Sequence, residues 1–226
     1  MMMMMMMMMT IPQPTTIEPS SQMSALTVFS PEQLAVLSPA VQQVATHLNL
    51  YIDEATIASR IEALAQQLNQ TYENIDELTI ICVLKGSFMF LSDLVKHLNF
   101  PVKVEFIRLA SYGNNTQSSG KVKTVDLTLP SLEGKHVLIL EDIIDTGLTL
   151  SFLVSYLKDL HQTASLKLAV FLDKPTARNP EAKHITVDFI AFSIENSFVV
   201  GYGLDFSGHF RQLPFVATYT GPALTE

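Results

Sequence analysis

The sequence predicts an α/β protein, a parallel sheet flanked by helices. Three observations predict it. The runs "ELTIICVL" (77–84), "KHVLILED" (135–142) and "SLKLAVFLD" (165–173) are nearly continuous hydrocarbon of strand length, as in strands covered on both faces. Segments with helical apolar spacing, 86–98 and 148–161, lie between strands. Strand and helix therefore alternate, which implies parallel pairing through crossover helices.

The elements follow in order. Met1 to Met9 form a homopolymer, and Thr10 to Ser24 is rich in Pro, Thr, Ser and Gln. The homopolymer reads as an uncertain start or a slipped repeat, and residues 1–24 together as a disordered low-complexity tail. Pro31 to Leu50 suits one or two short helices, so 25–52 is expected to be a helical appendage and 53–226 the main domain. Asp53 is a helix N-cap candidate, and Ile57, Ile61, Leu64 and Leu68 follow at helical spacing. In 86–98 the inward positions are Phe90, Leu91, Leu94 and Leu98, and in 148–161 they are Leu150, Leu153, Val154, Leu157 and Leu160. "VKVEFIRLASY" (102–112) alternates like a strand, and "GNNTQSSGK" (113–121) is a polar loop. "VDFIAFSI" (187–194) and "FVVGYGLDF" (198–206) read as further strands.

Composition narrows the function. The 226-residue chain has a net charge of −8 and is 48% hydrophobic. The acidic balance argues against a nucleic-acid surface or an anionic membrane, and no stretch reaches the ~20 apolar residues of a membrane helix. The first Lys or Arg is Arg60, which fits neither a secretory nor a mitochondrial leader. The single cysteine, Cys82, sits in an apolar run and reads as a buried small hydrophobe in a reducing compartment. The cytoplasm is the expected location.

One stretch carries the chemistry. "VLILEDIIDTGLTL" (137–150) ends a buried strand in Glu141, Asp142 and Asp145, then turns through Thr146-Gly147-Leu148-Thr149 into a helix. Three carboxylates so close repel one another. The first turn of a helix offers unpaired N–H groups, Gly147 allows close approach, and Thr146 and Thr149 add hydroxyls, which together suit a phosphate. The acids suit ribose hydroxyls or Mg²⁺, a cation that prefers oxygen ligands. An N-cap role would account for Asp145 but not for all three acids. By residue type alone, Lys174 also suits an exposed surface, Phe198 a core and Asp205 a turn.

The stretch 137–150 resembles the signature of the type I phosphoribosyltransferases. "VLKGSFMFLSDL" (83–94), "SYG" (111–113), "LDKPTAR" (172–178) and "FVVGYGLDF" (198–206), in that order, are similar to the hypoxanthine (guanine) phosphoribosyltransferases in their bacterial form. The resemblance runs from roughly Asp53 to Tyr219. It implies the family's sheet with a small hood region. It implies transfer of a 5-phosphoribosyl group from phosphoribosyl pyrophosphate to N9 of hypoxanthine, with guanine second, giving IMP or GMP and pyrophosphate. It implies Mg²⁺, and a homo-oligomer, dimer or tetramer.

By the same resemblance, Glu141 and Asp142 face the ribose and the metal, and Asp145 is the acceptor or general base near purine N7. Thr146, Gly147, Leu148 and Thr149 hold the 5′-phosphate. Lys85 and Gly86 form the pyrophosphate loop, with a cis peptide expected between them. Ser111 and Tyr112 open a mobile closing loop, and Arg211 contacts pyrophosphate. Lys174 donates to purine O6, Phe198 stacks on the base, and Val199 and Asp205 reach its edge, Asp205 also holding a second Mg²⁺. Arg178 is left as an interface or structural residue. An adenine or pyrimidine enzyme would lack the Lys174 and Phe198 motifs. A nucleic-acid-binding regulator would need a basic face. A metal-dependent phosphatase would leave 172–178 and 198–206 unexplained.

Overall fold

The computed structural model describes residues 13, 15–16, 28–110, 123–126, 129–160, 162–182 and 184–221. Among these residues, ten strands and five α-helices run in the order β1 (Thr15–Thr16), α1 (Pro31–Ala35), α2 (Pro39–Ala45), β2 (Leu48–Ile52), α3 (Glu54–Thr71), β3 (Leu78–Leu84), α4 (Phe88–Val95), β4 (Val102–Ala110), β5 (Lys123–Asp126), β6 (His136–Ile144), α5 (Leu148–Leu160), β7 (Ser165–Asp173), β8 (Phe189–Ser193), β9 (Val199–Val200) and β10 (Val216–Tyr219). The main sheet has the order β1-β8-β7-β6-β3-β4-β5. All its neighbours pair parallel except β4 and β5.

The apolar runs explain the layers. In β3, Ile80 and Cys82 point to one face and Ile81 and Val83 to the other; in β6, Leu138 and Leu140 oppose Val137 and Ile139. Each strand thus buries both faces, and helices must cover both. On the first face Ile57, Ile61, Leu64 and Leu68 of α3 join Phe90, Leu91 and Leu94 of α4. On the second, α5 contributes Leu150, Leu153 and Leu157. Asp53 caps α3 by accepting from the Thr56 amide at 2.9 Å. Arg60, buried on α3, donates to the carbonyls of Ala191 and Ile190 at 2.7 Å each and ties the helix to β8.

A second, antiparallel sheet, β2-β10-β9, forms the hood over the strand ends. Helices α1 and α2 form within 31–50, where the sequence suggests them, but Leu48–Ile52 is a strand. Its partner β10 lies near the other end of the chain, a pairing no local pattern announces. Strand 198–206 is also shorter than its apolar content suggests. Only Val199–Val200 is extended. Gly201, Tyr202 and Gly203 follow at φ +93°, +47° and +98°; the glycines permit the left-handed conformation that turns the chain out of the strand. Thr15 and Thr16, within the expected tail, pair with Phe192 and Ser193 at the sheet edge.

Cys82 is fully buried, with its Sγ 3.0 Å from Ser87 Oγ. Burial pushes its thiol up to about 11 from about 9. The thiolate is the reactive form, so native protein is expected to resist iodoacetamide at neutral pH and to react fully once unfolded. Mass spectrometry of the adduct checks this; rapid native labelling would refute it. Between about 9 and 11 the unfolded chain loses the proton first, so this thiol lowers stability as pH rises through that window.

Candidate active site

The site lies beyond the carboxyl ends of β3, β6 and β7, where open parallel sheets bind ligands. A cleft of about 330 Å³ is lined by Lys85 and Gly86 on one wall and by Glu141, Asp142, Asp145, Thr146, Gly147 and Thr149 on the other. Parallel pairing of β3 with β6 brings these two distant segments side by side. Leu148 begins α5 at the edge of this group. The Ser151 amide donates to the Gly147 carbonyl at 2.9 Å, so Gly147, not Asp145, holds the N-cap position. Asp145 is thereby free of the capping role.

Strand β6 reaches Ile144, beyond the acids. Glu141 and Asp142 both line the cleft. Glu141 is buried, and its Oε1 accepts from the Asp142 amide at 3.2 Å. Asp142 Oδ1 accepts from the Ile143 amide at 2.8 Å. Burial, then the charge of Asp142, pushes the Glu141 carboxyl well above the usual carboxylate range. Such a pair favours a cation.

Lys174 is buried just after β7 rather than exposed, with only 7% of its side chain accessible. Its amide donates to the Ile144 carbonyl at 3.0 Å, and its Nζ lies 3.4 Å from Asp145 Oδ2. A positive donor and a negative acceptor thus stand side by side. Sequence spacing between 145 and 174 carries no signal for this pair; the β6–β7 register makes it.

The loop "LKGS" packs tightly. A Cβ on Gly86 would overlap the Asp142 carboxylate, and one on Gly203 would overlap the Gly86 carbonyl. The hood turn thus rests on the loop, and the loop on the wall that bears Asp142. The cis peptide is Leu84–Lys85, one bond earlier than expected. No proline marks either bond, so the residues themselves do not distinguish them.

The remaining candidates lie on the hood. Arg211 donates to the Gly203 carbonyl at 2.7 Å and pairs with Asp205 at 2.5 Å. Asp205 also accepts from the Gly208 amide at 2.7 Å. Val199 is buried in β9. Phe198 is half-exposed at 53%, its ring 5.7 Å from Phe206 and 6.4 Å from Tyr219. Ser111 and Tyr112 fall outside the described residues. Sequence reasoning missed Tyr202, whose hydroxyl donates to Asp93 Oδ2 at 2.6 Å and anchors the hood turn to α4. Among the described residues, no helix is long and apolar enough to cross a membrane.

Comparison with known proteins agrees with this geometry. The family model "Phosphoribosyl transferase domain" matches residues 50–207. The hypoxanthine-guanine phosphoribosyltransferase of Bacillus subtilis is 40% identical over 175 residues, 77% of this chain and 94% of the relative. The hypoxanthine phosphoribosyltransferase of Haemophilus influenzae is 38% identical over 172 residues, 75% of this chain and 94% of the relative. A crystal structure of a hypoxanthine-guanine phosphoribosyltransferase from Bacillus anthracis aligns with a TM-score of 0.69 at 39% identity, covering 75% of this chain and 97% of that one. With the sheet, the hood and the acid-rich strand end already in place, these matches assign the chain to the phosphoribosyltransferase family, in its hypoxanthine (guanine) branch.

Proposed function

We propose that the chain transfers the 5-phosphoribosyl group of phosphoribosyl pyrophosphate to N9 of hypoxanthine in purine salvage, giving IMP and pyrophosphate, and that guanine is a second substrate, giving GMP. The observation that carries this reading is the Lys174–Asp145 pair, 3.4 Å apart at the mouth of the phosphate loop. A 6-oxopurine offers O6 and N7 on one edge. An ammonium has donors only and suits O6. A carboxylate suits an N7–H, and can take its proton as N9 bonds to the sugar. Adenine would set an amino donor against the ammonium.

The other residues take roles that fit their positions. The amides and hydroxyls of Thr146 to Thr149 receive the 5′-phosphate at the start of α5. Lys85, the Gly86 backbone and Arg211 receive pyrophosphate, the fork of Arg211 matching phosphate oxygens. Phe198 stacks on the base, with Phe206 and Tyr219 bracing its ring. Val199 and Asp205 approach the purine edge through the hood, and Ser111 and Tyr112 are proposed for the closing loop. Charge develops on the sugar as pyrophosphate leaves, and the acids Glu141 and Asp142 are placed to stabilise it.

The donors also fit Mg²⁺. Glu141 and Asp142 supply oxygen alone, and a cation would offset the burial and the Asp142 charge that raise the Glu141 carboxyl; Asp205, on the hood, would serve a second ion. When bound, the ion would neutralise charge on the leaving pyrophosphate. Asp205 would have to share its carboxylate with Arg211. A homo-oligomer, dimer or tetramer, is the proposed assembly.

The test is product formation from phosphoribosyl pyrophosphate and Mg²⁺ with hypoxanthine, guanine or adenine. IMP and GMP are expected, and no AMP. Turnover of adenine on a par with hypoxanthine would overturn the reading, as would binding of phosphoribosyl pyrophosphate with no turnover of any base.

A further inference from the structure

Arg178 lies outside the cleft, directly behind the phosphate loop. Gly147, at φ +79°, leaves room for it: a Cβ there would stand 3.1 Å from Arg178 Cδ and 3.2 Å from its Nη1. Its Nη2 pairs with Asp173 at the end of β7. Its Nη1 is buried and has no hydrogen-bond partner among the described residues. The next residue, Asn179, donates its amide to the Thr146 carbonyl at 3.0 Å. The segment after β7 is therefore laced to the loop after β6 from Ile144 to Gly147. A guanidinium left half-satisfied in a buried position is costly unless negative charge is near. Asp173 answers one side of it; the loop faces the other.

We infer that Arg178 is a positioning residue for phosphate binding: it holds the Thr146–Thr149 loop in its anion-receiving shape and sets positive charge behind it. This rests on the reading that the loop receives the 5′-phosphate. The geometry gives the arginine two separable contributions. Its stem and its fork to Asp173 set the loop's shape. Its charge adds to the positive end of α5, an effect that falls off within a turn and is strong only where partly buried. Arg178 does not line the cleft that holds Lys85 and Gly86, the residues proposed for pyrophosphate.

The test compares binding of IMP, which has a 5′-phosphate, with binding of pyrophosphate, by calorimetry. The proteins are wild type, Arg178→Lys, the double variant Asp173→Asn/Arg178→Met, and Thr149→Val. The double variant removes both charges, so no lone buried carboxylate is left to unfold the protein. It is expected to weaken IMP by about tenfold, the scale of a partly buried charge at a helix terminus, with pyrophosphate unchanged. Arg178→Lys keeps the charge without the fork and should recover part of the loss. Unchanged IMP affinity in the double variant, or equal loss for IMP and pyrophosphate, would overturn the inference. If Thr149→Val weakens IMP while the double variant does not, the inference alone fails; if neither weakens it, the phosphate-loop reading fails as well.

Discussion

Asp145→Asn is expected to lower kcat for IMP formation by roughly 10²–10⁴-fold, the range for loss of a positioned acid–base group. The fold should be intact. The Asp145 side chain is 49% exposed and pairs with Lys174. The helix it precedes is capped at Gly147, not at Asp145, so the amide removes no cap, and its oxygen can still accept from Lys174. Asparagine keeps the shape and can still accept a hydrogen bond from an N7–H, but it cannot take the proton. The loss should therefore fall on kcat with KM for phosphoribosyl pyrophosphate nearly unchanged, since uniform binding is retained. Steady-state kinetics, with circular dichroism to verify folding, decides it. A variant with wild-type kcat would remove Asp145 from the chemistry and leave it only as the partner of Lys174.

Gly86→Ala should be nearly as severe for a different reason. The added methyl group would occupy the place of the Asp142 carboxylate. Either the acid swings out of the cleft or the loop bearing Lys85 retreats, and Gly203 presses on that loop from the other side. Displacements of about 1 Å in a catalytic constellation cost on the order of 10²-fold in rate. Gly134→Ala is the control. Unlike Gly86, Gly134 has a positive φ of +67°, and nothing lies within 4 Å of a Cβ there. It should cost stability through its left-handed backbone, about 1–2 kcal/mol, and leave kcat alone. If the two alanine variants lose activity alike, the packing of Gly86 on Asp142 is not what the site depends on.

The different visibility of these residues in the sequence has a physical basis. The order strand, acids, Thr/Gly loop, helix at 137–150 was legible because each part is local: hydrocarbon for a strand, unpaired amides for a helix start, glycine for close approach. The cap at Asp53 was legible for the same reason. The Lys174–Asp145 pair was not, since it depends on the register of β6 with β7. Nor was the stack of Gly203 on Gly86 on Asp142, which joins three segments far apart in the chain. The strand reading of 198–206 failed where composition and conformation part: its residues are apolar enough for a sheet, but the glycines at 201 and 203 turn it at positive φ.

By itself, then, the sequence determined the α/β class, five of the seven strands of the main sheet with the helices that cover it, and the segment that ends in the acids and the Thr/Gly loop, because these follow from periodicity and from nearest-neighbour backbone chemistry. Only the tertiary structure decided which chain segments share the cleft, that Lys174 is buried against Asp145, that Leu48–Ile52 joins the hood, and that Arg178 stands behind Gly147. Those outcomes rest on contacts between residues remote in sequence, whose free energy comes from burial and register across the whole fold and leaves no mark in any local window.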